Sequence, residues 1–226
     1  DTTANLRVDG TVSGAEAFSI GAGSFRLAGP NTYSGTNTVN SGAIVEVTGI
    51  SSLGDDTGVT NILSGGTVRF NLSADGTVTE PFQVVGRGVS SEGAIQNIGS
   101  SPTLTGDVVL AADASFGNYN LNTALSFNGV ISGTGDIEVI GTDGSVSFGG
   151  GSPNTYSGDL YVISSGASLL KDGAVPGDLI LEPDHSTTGT SIYVNAPSDA
   201  ITGGVYASGL TGLEYVGFFG ASEEIN

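Results

Sequence analysis

Apolar residues in this chain fall at alternate positions in short runs, and turn-forming residues interrupt them every few residues. In Gly66-Thr67-Val68-Arg69-Phe70-Asn71-Leu72, one face carries Val68, Phe70 and Leu72 and the other Arg69 and Asn71, the period-two signature of a half-buried strand. Phe82 and Val84 continue the pattern after Pro81. Similar runs recur at Val108-Val109-Leu110, Leu125-Ser126-Phe127, Ile137-Glu138-Val139, Val146-Ser147-Phe148, Leu179-Ile180-Leu181 and Ile192-Tyr193-Val194, separated by Gly, Asn and Asp. Leu6 and Val8, then Phe18 and Ile20, predict a first coil. Residues 86–101, polar and glycine-rich, predict a loop that leaves the body. Helical periodicity is nowhere indicated. Strands this short, with turns this close, predict an all-β solenoid, sandwich or barrel.

An internal repeat chooses among these. Pro30-Asn31-Thr32-Tyr33-Ser34-Gly35 returns 123 residues later as Pro153-Asn154-Thr155-Tyr156-Ser157-Gly158. Each copy follows an alternating run (Ser24-Phe25-Arg26-Leu27; Ser145-Val146-Ser147-Phe148) and precedes Ser-Gly-Ala (Ser41-Gly42-Ala43; Ser165-Gly166-Ala167). Proline fixes φ, asparagine tolerates left-handed backbone and glycine closes a turn without a Cβ penalty, so the hexapeptide reads as a corner. Tyr33, Val39, Ala43, Val45 and Val47 share one parity, as do Tyr156, Leu160 and Val162. Tyr33 and Tyr156 are therefore expected to be buried, Asn31 and Asn154 to lie in turns, and neither hexapeptide to touch a ligand. The second copy has one more residue before its Ser-Gly-Ala, which would flip everything beyond it unless a turn absorbs it.

These residues resemble the autotransporter-associated β-strand repeats of bacterial surface and secreted passenger proteins. That pattern runs roughly apolar-x-apolar-x-Gly-x-Asn-Thr-Tyr-Ser-Gly, then Thr-x-Val and Gly-x-Leu-x-Val. Residues 25–54 and 145–178 carry it, and 93–141 look like the spacer between such repeats. Asp159 and Tyr161 depart from it where the family favours threonine, and Lys171 occupies an apolar phase. The resemblance implies a right-handed parallel β-helix, extracellular and on the bacterial cell surface, without implying an activity. At roughly 20–25 residues per coil, the 226 residues would make about ten coils in a single β-helical domain spanning 1–226. The absence of an initiating Met or leader pattern at Asp1-Thr2-Thr3 and the finish at Glu223-Glu224-Ile225-Asn226 suggest a fragment or processed part of a longer surface protein.

Composition narrows the partners. Only five basic residues, Arg7, Arg26, Arg69, Arg87 and Lys171, face 23 acidic ones, for a formal charge of −18 and a sequence pI near 4.1. Nucleic acid is effectively excluded as a partner, because phosphate binding needs clustered cations, and the same charge would repel anionic lipid headgroups. Without cysteine there is no disulfide scaffold or thiolate metal site. Glycine is abundant at 38 residues, yet 38% apolar content still supports a continuous core. No apolar run reaches the roughly 18 residues of a membrane span.

Candidate chemistry is sparse. Asp55-Asp56 follows Leu53-Gly54 in a turn context, where Asp serves local backbone bonding. Asp136 and Glu138 are a carboxylate pair of the kind glycosidases separate by roughly 6.5–9.5 Å, but no residue singles them out. His185, in Glu182-Pro183-Asp184-His185-Ser186, is the only histidine. No Gly-x-Ser-x-Gly elbow, EF-hand spacing or Gly-Gly-x-Gly-x-Asp calcium repeat is present, and Gly133-Thr134-Gly135-Asp136 and Asp143-Gly144 read as ordinary turns. The sequon Asn71-Leu72-Ser73 falls inside a strand. No catalytic residue, metal ligand or cofactor is assigned.

A solenoid has two open ends, and the apolar residues there, Leu6, Val8 and Phe18 at one and Tyr215, Phe218 and Phe219 at the other, are the expected stacking surfaces. The expected function is a non-enzymatic extracellular structural or adhesive β-helix, a surface passenger or stalk. Its expected partners are further β-structure of its own longer chain or other copies of itself, with surface carbohydrate or other cells beyond them. Two rivals stand beside it. One is a self-assembling fibre subunit stacked end to end. The other is a polysaccharide-active β-helix, recognisable by three or more carboxylates beside Arg7, Arg26, Arg69 or Arg87 on one exposed strand face.

Overall fold

The computed structural model describes residues 5–142, 144–164, 166–182, 192–195, 199–207 and 216–218. One turn shows how the chain is built. It runs through Phe82–Gly86, then Ile95–Asn97, then Pro102–Leu104, and returns at Val108 to lie directly on Phe82. Each of these three strands pairs in parallel with its counterparts in the turns before and after, so the described part of the chain is an all-β parallel solenoid with three strand positions, or faces, per turn.

The first face stacks Asn5–Val8, Gly23–Leu27, Ala43–Val47, Thr67–Phe70, Ile95–Asn97, the latter half of Val108–Asn118, Ile137–Gly141, Leu160–Val162, Leu179–Leu181 and Val205–Ala207. The second stacks Phe18–Ile20, Asn37–Val39, Thr60–Ile62, Phe82–Gly86, the start of Val108–Asn118 and Ile131–Gly133. Val108–Asn118 belongs to both and turns its corner at the exposed residues 111–113, joining the two faces in one 15-stranded sheet. The third face is the seven-stranded sheet from Gly76–Val78 to Val216–Phe218.

About eight turns form, fewer than the ten expected from length. The ends account for the difference, because the stacking offsets, though uneven, from 19 residues (Asn5 on Ser24) to 28 (Gly86 on Ala114), centre on the length expected of a coil. The first level contributes strands without closing, and the last runs into residues outside the description. At roughly 4.8 Å per stacked strand, eight turns make a rod about 40 Å long.

Inward positions line up as ladders because parallel register puts like on like. Val45, Val68, Ile95, Phe116, Val139, Val162 and Leu181 form one column, all buried. Ile20, Val39, Ile62, Val84 and Leu110 form another. On the third face, Phe127 stacks between Phe116 and Phe148, with ring centroids 4.4 and 6.0 Å away. Val68, Phe70 and Leu72 point inward and Arg69 and Asn71 outward, as their alternation predicts.

The expected loop over 86–101 is half right. Residues 87–93 do leave the body, through a short 3₁₀ segment at Val89–Ser91, but Ile95–Asn97 is a fully buried strand of the first face. Only two apolar residues, Ala94 and Ile95, announce it, and asparagine fills an inward position, so the apolar pattern misses it.

Candidate functional site

Tyr33 and Tyr156 are buried, as their parity predicts, but the middle of each hexapeptide is extended rather than a corner. Thr32–Tyr33 is a strand, and Thr155 and Ser157 donate to the second-face backbone as a strand does. The hexapeptide asparagines also act differently from the sequence reading. Neither is left-handed; among the described residues the non-glycine positions with positive φ are Ser90, Ser91 and Asn122. Asn31 and Asn154 turn inward and bridge turns. Asn31 Oδ1 accepts the Val12 N–H at 2.8 Å, and its Nδ2 donates to the Ser52 carbonyl at 2.6 Å. Asn154 repeats this with the Ile131 N–H at 2.9 Å and the Ala174 carbonyl at 2.8 Å. One side chain thus replaces strand pairing at a corner where the backbone ladder lapses. Gly35 and Gly158 are required for clearance: a Cβ at either would overlap a carbonyl of the turn below, that of Glu16 or of Gly135.

The two copies do not stack on each other. Thr32–Tyr33 pairs with Ser13–Gly14, between a first-face and a second-face strand. Thr155 and Ser157 donate to the Ile131 and Gly133 carbonyls, which places the second copy on the second face. The extra residue of the second copy is absorbed between Val162 and Ala167, both buried, so facing is preserved.

A second set of bridges lies at the corners that carry carboxylates. Asp113 Oδ1 accepts the Asp136 N–H, Asp136 the Asp159 N–H, Asp159 the Asp178 N–H and Asp178 the Gly204 N–H, at 2.7–3.0 Å. Asp136 is therefore committed to backbone and does not pair with Glu138. The departure from threonine at Asp159 is a rung of this ladder. The signal was present in the 23-residue spacing of Asp113, Asp136 and Asp159. Asn97 and Asn118 form a related buried bridge at 3.2 Å.

Charge on the outside concentrates on the first face. Arg26 lies 3.6 Å from Glu46, Arg69 3.7 Å from Glu92, and Arg87 2.7 Å from Glu138. Arg69 Nε also donates to Gln96 Oε1 at 2.7 Å, and Ser115 to Glu138. Three carboxylates thus stand beside three arginines on one face, the arrangement that would mark a carbohydrate-active site. Each carboxylate is already held by a guanidinium, and none forms a free acid–base pair. The 87–93 loop crosses this face, tied at its neck by the Gly93 N–H to the Arg87 carbonyl at 2.8 Å.

Elsewhere the expected chemistry resolves into structure. Asp55 Oδ1 accepts both the N–H and the hydroxyl of Thr57, a local turn. His185 and Asp143 lie outside the described residues. Among the described residues no three His, Cys, Asp or Glu come together as a metal site. A shallow second-face groove of about 230 Å³, lined by Thr38, Asn61, Leu63, Gln83, Val85 and Ala111, holds no charged group. Lys171 is buried, and its Nζ reaches 3.2 Å to the Gly129 carbonyl, 42 residues back. Burial lowers its pKa to about 8, against the raising influence of Asp107. Tyr156 Oη has no partner, and burial raises that phenol further.

At the first end, Leu6 is 54% and Phe18 37% exposed, and Val8 is half-buried. Asn5–Val8 and Phe18–Ile20 each pair on one side only among the described residues. At the other end Phe218 belongs to Val216–Phe218, while Tyr215 and Phe219 lie outside the described residues. No described helix is long and apolar enough to cross a membrane.

Fold and surface together define an acidic parallel β-solenoid in which buried asparagines and a series of aspartates join successive turns. Comparison with protein families, with curated proteins and with solved structures finds no match to this chain.

Proposed function

We propose that this chain is a non-enzymatic extracellular β-helix, a passenger or stalk of a bacterial cell surface, wound right-handed as parallel crossovers almost always are. The observation that supports this best is the use of its polar groups. Asn31, Asn154 and the Asp113–Asp136–Asp159–Asp178 series connect turn to turn instead of converging on a cleft. Its action is mechanical: parallel ladders satisfy the backbone, apolar columns fill the interior, and the acidic exterior keeps rods apart in solution. Antibody labelling of intact producing cells, with a turnover screen on acidic and neutral polysaccharides, tests it. Surface labelling without turnover is expected. Labelling only after permeabilisation, or turnover abolished by Glu138→Gln, would sink it, the latter in favour of a carbohydrate-active enzyme.

The one-sided strands Asn5–Val8 and Phe18–Ile20, with Leu6 and Phe18 exposed, favour a second reading as an end-stacking fibre subunit. Concentration-dependent light scattering and negative-stain images separate them: monodisperse rods fit the stalk, and growing filaments fit the fibre.

A further inference from the structure

The second-face column Phe18, Asn37, Thr60, Phe82, Val108, Ile131 is apolar except for Asn37 and Thr60. Buried polar groups must find partners within the protein, and these two build a chain. Tyr33 Oη donates to Asn37 Oδ1 at 2.9 Å, Asn37 Nδ2 donates to Thr60 Oγ1 at 2.9 Å and to the Leu53 carbonyl at 2.9 Å, and Thr60 Oγ1 donates to Glu80 Oε1 at 2.6 Å. The chain ends on a carboxyl that is 4% exposed and whose Oε2 has no partner. Glu80 is the only buried carboxyl among the described residues.

We propose that the Tyr33–Asn37–Thr60–Glu80 chain is a proton-operated clasp on the N-terminal turns. With Glu80 neutral it ties successive turns together. When the carboxyl gives its proton to solvent, the turns built from residues 31–62 loosen while the rest of the rod stays closed.

The reason is the surroundings of Glu80. A neutral carboxyl tolerates this site; a carboxylate with one hydrogen bond and no cation does not. The charged groups acting on it from the corner beside it are Asp55 and Asp56, both of its own sign, and the facing titratable group is the Tyr33 phenol. From the turn above, Gly106 packs on the Glu80 backbone, and Asp107 turns its Oδ1 to the Val130 N–H. Burial raises Glu80 to about 7 against the lowering pull of Thr60 and Asn37, and the two aspartates add to the rise. The folded state therefore holds a proton the unfolded chain has lost, so the stabilisation is complete below the unfolded carboxyl pKa and disappears as pH rises through about 7.

Amide hydrogen exchange at pH 5.5 and 8.0, corrected for intrinsic chemistry, tests this on the intact chain. Peptides from 31–62 should open about tenfold more at pH 8.0, with 137–162 unchanged. Glu80→Gln should abolish the difference. In the wild type, ¹³C-carboxyl NMR should place the Glu80 midpoint at the midpoint of the exchange change, a comparison that stands even if the variant does not fold. Equal pH response along the rod, a response retained in Glu80→Gln, or non-coincident midpoints would overturn the clasp.

Discussion

Asn154 holds one turn to both its neighbours with a single amide, and its removal leaves a buried N–H at Ile131 and a buried carbonyl at Ala174 without partners. Each orphaned group costs about 1–3 kcal/mol, so Asn154→Ala should lower stability by about 2–4 kcal/mol in urea unfolding, with Asn31→Ala similar. A loss below about 0.5 kcal/mol would mean that water replaces the amide. Lys171 poses the opposite case, a buried cation resting on one carbonyl. Its depressed pKa means that between about 8 and the ordinary lysine value the unfolded chain binds the proton and the folded chain does not, so stability should rise with pH across that window. Lys171→Met should flatten that rise and match or exceed the wild type at pH 7, read from urea midpoints at pH 7, 9 and 10.

At the scale of the strand, inward and outward positions should respond differently. Phe116 is fully buried and stacks on Phe127, so Phe116→Ala should cost about 3–5 kcal/mol; outward Gln83, exposed on the second face, should cost within about 0.5 kcal/mol on replacement by alanine. Thermal unfolding of the pair checks this. The 87–93 loop is a different kind of element, because Ser90 and Ser91 sit at φ of 56° and 60°. Glycine is at ease there and serine is not. Ser90→Gly and Ser91→Gly should be neutral or mildly stabilising, whereas alanine at either, which keeps the Cβ and with it the same backbone strain, should change stability by no more than about 0.5 kcal/mol.

For the whole molecule, charge and open edges act against each other. A formal charge of −18 spreads repulsion along a rod whose first end carries exposed Leu6 and Phe18. Lowering the pH toward the sequence pI of about 4.1 removes that repulsion. Light scattering should therefore show association growing as pH falls below about 5 and reversing on return to pH 7. Deleting residues 1–20 should change that association, because it alters the edge strands; unchanged scattering would detach it from the ends.

Period-two alternation determined the strands, since a parallel sheet buried on one side demands it whatever the partner strand is. The hexapeptides determined a repeat, and parity alone placed Tyr33 and Tyr156 inside. The sequence could not show that the copies occupy different faces, because that depends on the summed length of turns that vary from 19 to 28 residues. Nor could it show why the asparagines are there, since a bridge to residues 19 and 21 positions away exists only once turns stack. The strand Ile95–Asn97 and the Glu80 clasp went unread for the same reason: a buried polar residue looks like a loop residue until its partners arrive from neighbouring turns. Local periodicity is written in the chain, but which polar groups are buried together is decided by stacking, and stacking is where this protein places its chemistry.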